Sequence, residues 1–314
     1  MGRTHLRQVA SGLAVGLLLA CQHVLGAGAQ VQTPGQQSQT QAPQLPTYIP
    51  QIRFNAGQGV VPYYEGWIRN PDGSFDIVFG YFNRNWQQEL AIPAGPDNKV
   101  EPGGPDAGQP TYFLPRRQRW IYRLRVPADF GKKEATWTIT ANGRTEKVVA
   151  SLIPSEEINE RVVMSNGNFD TGVNDPNKPP ALTVPALLKA TVTSASPLTA
   201  NVVDDGLPKP RPIPAPRPTT AADGPANFGA QVNSSGGNRP RGLRLTWIEY
   251  RGPAKVTFDP VGPVPVTSGQ ALTTTAHFAA PGTYVVRAMA NDGALSTTRD
   301  VTITVSGGSS TGSE

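Results

Sequence analysis

Apolar and polar residues alternate with a period of two along much of this chain, the spacing of a strand that buries one face. The clearest case is Phe278 to Val305, FAAPGTYVVRAMANDGALSTTRDVTITV. Here two alternating runs flank the tight-turn tetrad Asn291-Asp292-Gly293-Ala294, which predicts a β-hairpin. Side chains alternate faces along a strand, so Tyr284, Val286, Ala288 and Ala290 share one side and Val285, Arg287 and Met289 the other. On the returning strand Val301, Ile303 and Val305 form the core face, opposite Thr302 and Thr304.

From Tyr48 to about Ile153 the text is dense in aromatic and β-branched residues. It predicts strands at 59–69, 74–83, 90–92, 118–126, 135–141 and 145–152. Asn70-Pro71-Asp72-Gly73 and Ala141-Asn142-Gly143-Arg144 read as hairpin turns in which Gly and Asn supply positive φ. One all-β domain over 47–153 follows. Between Pro93 and Pro115 runs PAGPDNKVEPGGPDAGQPTYFLP, whose prolines lack the backbone donor that a central strand needs. It is expected to cross the surface or bridge two sheets. Because long loops on a sandwich carry binding, it is also a candidate recognition element.

Residues 154–180 read as a connector, with Ser155 a possible cap for one helical turn at Glu156 and Glu157. A second all-β domain over 181–306 opens with ALLKATVTSA and PLTANVVDDGLP and resumes at Gly242 with LRLTWIEYRGPAKVTF, where Leu243, Leu245 and Trp247 share a face. Lys209 to Arg241, with KPRPIPAPRP and then a Gly/Ser/Asn tract, interrupts that domain as a Pro-rich insertion, expected to be exposed polyproline and disordered loop.

The order Val-x-Asp-Asp-Gly-Leu-Pro, Leu-x-x-x-Trp with Gly-Pro, Ala-Pro-Gly-x-Tyr and Asn-Asp-Gly across 181–306 resembles bacterial extracellular PKD-like and other immunoglobulin-like domains. That resemblance implies a β-sandwich scaffold or binder, with Trp247 as its core tryptophan and Tyr284 as a corner tyrosine. The insertion departs from the family pattern. Residues 47–153 resemble secreted bacterial β-sandwich proteins only in general style. The expected architecture is therefore all-β, two tandem immunoglobulin-like β-sandwiches behind a disordered leader.

The first 29 residues read as a signal peptide, with Arg3 and Arg7, an apolar run from Val9 to Ala20, and Ala27-Gly28-Ala29 as the cleavage site. The run is about 12 residues against roughly 20 for a membrane span, so export is expected, to the periplasm, cell surface or exterior. Leu18-Leu19-Ala20-Cys21 resembles a lipobox, which makes Cys21 an alternative lipid-attachment site, although Leu19 fits that pattern poorly. Residues 30–46 are a Gln/Pro-rich spacer and 307–314 a loose tail.

The chain has 28 Lys and Arg against 23 Asp and Glu. With Arg3 and Arg7 removed, the balance is too small and dispersed for a nucleic-acid surface. The densest basic cluster, Arg116, Arg117, Arg119, Arg123 and Arg125, reads as a solvated strand face. Cys21 is the only cysteine, so cleavage after Ala29 leaves no thiol for a disulfide or metal site.

Of three histidines only His277 follows the signal, beside core-facing Phe278, and no Gly-x-Ser-x-Gly elbow accompanies it. Paired carboxylates remain possible by inventory, with Glu65, Asp76 and Glu89 near aromatics as the first places to look for a small hydrolase. Trp86, in the polar turn 83–88, is the most outward tryptophan and the weak candidate for a sugar platform. Asp204, Asp205 and Asp292, joined by Asp170 or Asp175, are weak candidates for Ca²⁺, against the reading that each is a self-bonding turn residue. No cofactor is implied. These features favour a non-enzymatic envelope or surface protein that contacts protein or glycan through its loops. A carbohydrate-binding module is the alternative and a carboxylate hydrolase the distant one.

Overall fold

A computed structural model describes residues 53–169, 172–192, 194–209 and 242–308. The expected signal peptide with Cys21, the spacer, most of the Pro-rich insertion and the end of the tail lie outside the described residues.

The first half is built from β1 (Val60–Arg69), β2 (Phe75–Asn83), β3 (Leu90–Ala91), β4 (Asn98–Glu101), β5 (Tyr112–Phe113), β6 (Arg116–Val126), β7 (Glu134–Ala141) and β8 (Arg144–Ser151). One sheet has the order β1-β2-β6, another β4-β7-β8, and β3 pairs with β5 in a short ladder. Alternation decides which residues enter the core: Ala135, Trp137, Ile139 and Ala141 of β7 are buried against Ile77 and Phe79 of β2 and Leu124 of β6. Trp137 is the hub of this core, with Phe79, Tyr122 and Phe113 within 6.3 Å between ring centroids. The Asn142-Gly143 turn joining β7 to β8 has φ of 49° and 72°, as its sequence requires.

The second half contains β9 (Ala181–Thr183), β10 (Leu187–Thr191), β11 (Ser196–Val203), β12 (Arg244–Arg251), β13 (Val256–Asp259), β14 (Val264–Pro265), β15 (Ala271–Phe278), β16 (Gly282–Asn291) and β17 (Ser296–Ser306). Its sheets run β13-β15-β11-β9 and β10-β17-β16-β12-β14, the strand arrangement of an immunoglobulin-like sandwich. Tyr284, Val286, Ala288, Ala290, Val301, Ile303 and Val305 all lie in its core with Leu245 and Trp247, the face assigned to each by alternation. The Tyr284 hydroxyl donates to the Ala280 carbonyl at 2.8 Å, closing a tyrosine corner. One feature was not expected: β9 pairs with β11, whereas β10, just after Pro185, crosses to the other sheet and pairs parallel with β17.

The Pro93–Pro115 segment stays out of central strands, and it carries two short strands that the sequence did not predict: Asn98–Glu101 forms edge strand β4 on β7, and Tyr112–Phe113 forms β5. An edge strand tolerates flanking prolines because only one side of it pairs. The helical turn of the connector is not capped by Ser155. Pro154–Glu156 is a 3₁₀ turn without a side-chain cap, and the helix α1 is Glu160–Met164, where Asn159 Oδ1 accepts from the Val162 amide at 3.1 Å. Ile158 and Val162 cover Ile68 and Val78 on the outer face of the β1-β2-β6 sheet. That face carries apolar residues, so the connector folds back over it.

Candidate functional site

The three carboxylates considered for hydrolysis are each engaged by a cation or hydroxyl. Glu65 lies under Arg117 at 2.6 Å and Arg119 at 3.7 Å, and Gly80 is where it fits, since a Cβ there would collide with Glu65 Oε1. Burial raises the Glu65 carboxyl while the two arginines oppose that rise. Asp76 accepts from Arg125 at 3.1 Å and Asn70 Nδ2 at 3.0 Å. Glu89 accepts from the Tyr112 hydroxyl at 2.6 Å and pairs with Lys255 at 3.0 Å. The basic row on β6 is likewise matched rather than merely solvated: Arg117 meets Glu65, Arg123 meets Glu160, and Arg125 meets Asp76.

Trp86 is half-buried rather than outward. The guanidinium groups of Arg53 and Arg116 lie 4.4 and 4.2 Å from its ring centroid, and its backbone amide donates to Phe54 O at 2.9 Å. The other aromatic residues of the first sandwich are mostly core: Trp67, Trp137, Tyr81, Tyr112 and Tyr122 are buried. In the described part of the first sandwich Phe54 and Tyr63 are the exposed large aromatics, and Tyr63 has the Arg117 guanidinium 3.9 Å from its centroid. His277 is exposed on β15 and Phe278 is buried beside it.

The most connected feature is one that sequence reasoning missed, a joint between the two sandwiches. Tyr250, on β12 of the second, is buried within the core of the first, with Ile248 and Val285 packed beside it. Its hydroxyl donates to Gly108 O at 2.7 Å, and its carbonyl accepts from the Thr111 amide at 3.2 Å. Gly252 N donates to Thr111 Oγ1 at 3.1 Å, and Arg251 pairs with Asp106 at 2.6 Å. Arg287 stacks 4.0 Å over the Tyr250 ring, donates to Ile121 O at 2.5 Å and forks onto Asp300 at 2.6 and 2.9 Å. A planar guanidinium suits this task because it stacks and donates in several directions at once.

The segment from Pro93 to Pro115 is therefore divided. Residues 106–112 are committed to the joint, whereas Gly95, Pro96, Lys99, Glu101, Pro102 and Pro105 line an open groove of about 650 Å³. Behind the joint, Glu249 is 3% exposed. One of its oxygens accepts from Val256 N at 2.7 Å and the other has no partner. Burial, aided by the Glu89 charge, pushes its carboxyl up to about 8. A signal for the joint was present in the sequence, because alternation sets Ile248 and Tyr250 on the outward face of β12 and Val285 on that of β16. Apolar residues on an outward face ask for a cover.

At the far end of the second sandwich the weak calcium candidates behave first as turn residues. Asp204 Oδ2 accepts from Gly206 N, Asp205 Oδ1 from Leu207 N, and Asp292 Oδ1 from Ala294 N and Leu295 N, all within 2.9 Å. Asp175 pairs with Arg161, and Asp170 lies outside the described residues. Among the described residues no helix is long and apolar enough to cross a membrane.

No family model matches the chain, and no curated protein does. Among solved structures, the D00-D0 domain of intimin is 12% identical, covering 78% of this chain and 98% of its own at a TM-score of 0.24. Domains 4 and 5 of the S-layer protein SbsC are 11% identical, covering 68% and 78% at a TM-score of 0.21. An endo-fucoidan hydrolase of glycoside hydrolase family 107 is 13% identical at a TM-score of 0.22, with 82% of this chain matched to 28% of that one. At such scores the likenesses carry no argument, and the fold rests on its own strands, register and cores.

Proposed function

We propose that this chain is a non-enzymatic exported module of the cell envelope or surface, structural or adhesive in role, whose two sandwiches are held as one rigid body that presents loops to a protein partner. The observation that carries this reading is Tyr250 buried in the first core with Arg287 stacked on it, a joint that costs ordering entropy once, at folding, and not again at binding. Glu65, Asp76 and Glu89 are each held by an arginine or a tyrosine hydroxyl, an arrangement suited to a packed scaffold. The PKD-like resemblance over residues 181–306 points the same way. The groove at Gly95–Pro105 and the insertion 209–241 are the contact elements, the first because it stays open beside an immobilised joint.

The test is a cross-linking pull-down from envelope extracts, followed by reconstitution with the purified partner. The reading expects one envelope protein whose binding falls at least tenfold when Lys99 and Glu101 are replaced by alanine. Binding to a glycan array with no protein partner would move the assignment to a carbohydrate-binding module. Turnover of a polysaccharide, lost in Glu65→Gln, would overturn it in favour of a hydrolase.

A further inference from the structure

Arg116 is the member of the β6 arginine row that meets no carboxylate. Arg117, Arg123 and Arg125 each pair with an acid, whereas among the described residues Arg116 forms no ion pair. Its Nη1 donates to the Arg84 carbonyl at 3.3 Å, a long bond to a neutral acceptor. The guanidinium lies 4.2 Å from the Trp86 ring centroid and 4.6 Å from that of Phe82, and Arg53 stands 4.4 Å from the same indole. Two cations thus share one ring. The segment carrying Arg53 is pinned there, because the Trp86 amide donates to Phe54 O and the Gln88 amide to Asn55 O, both at 2.9 Å. Arg116 also has a φ of 66°, a left-handed conformation that a non-glycine residue keeps only when its surroundings impose it, and such outliers collect at ligand sites. Burial and the Arg53 charge both disfavour the charged form of its guanidinium. A bound anion would reverse that balance.

The strip continues across the sheet. Phe82 pairs in register with Arg117, whose guanidinium lies 3.9 Å from the Tyr63 ring centroid. The carboxylates that meet Arg84, Arg116, Arg117 and Arg119 are Glu65 and Glu146, so positive charge is in excess. Exposed aromatic surface accompanies it, with Phe54 49% and Tyr63 40% exposed. A guanidinium stacked on a ring keeps its N–H edge for the two oxygens of a carboxylate or sulfate, while an open aromatic face accepts the C–H face of a sugar. A sugar ring bearing an anionic group uses both features. An acidic peptide uses the arginines alone. A neutral sugar gains no platform at Trp86, because two guanidinium groups already lie over that ring.

We propose that the strip from Arg53, Phe54 and Trp86 through Arg116 to Arg117 and Tyr63 binds an acidic polysaccharide, with carboxylate or sulfate groups on the guanidinium forks and sugar rings against the exposed aromatics. The site shares no residue with the Gly95–Pro105 groove and does not depend on the protein partner proposed for it. The test titrates the purified full chain with a heparin oligosaccharide, an oligogalacturonate, a neutral maltooligosaccharide and an oligoglutamate of matched length. At least one acidic sugar is expected to bind, more weakly as salt screens the charges, and the neutral one not at all. Arg116→Gln and Tyr63→Ala should each weaken that binding roughly fivefold or more. Arg116→Lys, which keeps the charge without the planar fork, should weaken it too. Arg299→Gln, at an exposed position on β17, and the double replacement of Lys99 and Glu101 by alanine should leave it unchanged. Because Tyr63 is exposed, its variant tests the site even where replacing Arg116 unsettles the fold. Failure of both acidic sugars to bind would overturn the proposal, as would binding that survives Arg116→Gln and Tyr63→Ala. Oligoglutamate binding as tightly as either sugar would assign the strip to an acidic peptide and overturn it as well.

Discussion

The Tyr250 hydroxyl donates to the Gly108 carbonyl at 2.7 Å across the junction of the two sandwiches, while its ring fills the core of the first. The bond fixes the loop that carries Asp106 and Thr111, and the ring supplies the apolar burial. The two contributions separate by mutation. Tyr250→Phe loses one hydrogen bond and should cost about 1 kcal/mol. Tyr250→Ala removes a buried aromatic and should cost about 3 to 5 kcal/mol. Urea titration measures both, and calorimetry of Tyr250→Ala is expected to split one transition into two.

Glu249 gives the second sandwich a pH dependence of definite sign. The folded protein holds the Glu249 proton up to about pH 8, against an ordinary value of 4.5. Between those values the folded state binds more protons than the unfolded one, so this group's contribution makes stability fall as pH rises. Glu89 and Lys255 are the charged neighbours that act on it. Glu249→Gln removes the dependence, and its melting temperature should decline less than that of the native chain between pH 5 and 8. Parallel pH profiles would show that Glu249 is ionised at no cost.

Asn98 organises the loop side of the first core. Its Nδ2 donates to Ile92 O at 3.0 Å and Pro110 O at 2.8 Å, its Oδ1 accepts from Trp137 Nε1 at 2.9 Å, and its backbone carbonyl takes Gln109 Nε2 at 2.9 Å. Asn98→Ala leaves a buried indole donor and two carbonyls without partners, for an expected loss of about 2 to 4 kcal/mol. Denaturant melts check this, and the slope should stay unchanged because the fold is kept.

Legibility followed range along the chain. The β16–β17 hairpin, the Asn142-Gly143 turn, Trp247 and the Tyr284 corner were readable because period-two burial and turn chemistry are local signals. Asn98 was not, since it lies in a Pro/Gly-rich segment where one Val100 gives no period and its partners come from β7 and the far end of the loop. Helix α1 has only five residues, too short for periodicity, and its cap at Asn159 is no stronger a signal than Ser155. Tyr250 lay in plain view on a strand, but the strand's own sandwich does not say what covers its outward face. Asp204, Asp205 and Asp292 were legible as turn residues, because a carboxylate that bonds its own backbone is a local signal.

Rigidity of the paired sandwiches is the claim on which the proposed function depends, and a distance distribution measures it most directly. With Cys21 replaced by serine, spin labels at Lys147→Cys on β8 and Val261→Cys beyond β13 sit at exposed positions on the two sandwiches. Double electron–electron resonance should give one narrow distance distribution that broadens in Tyr250→Ala. A broad distribution in the otherwise native chain, unchanged by that substitution, would contradict the account.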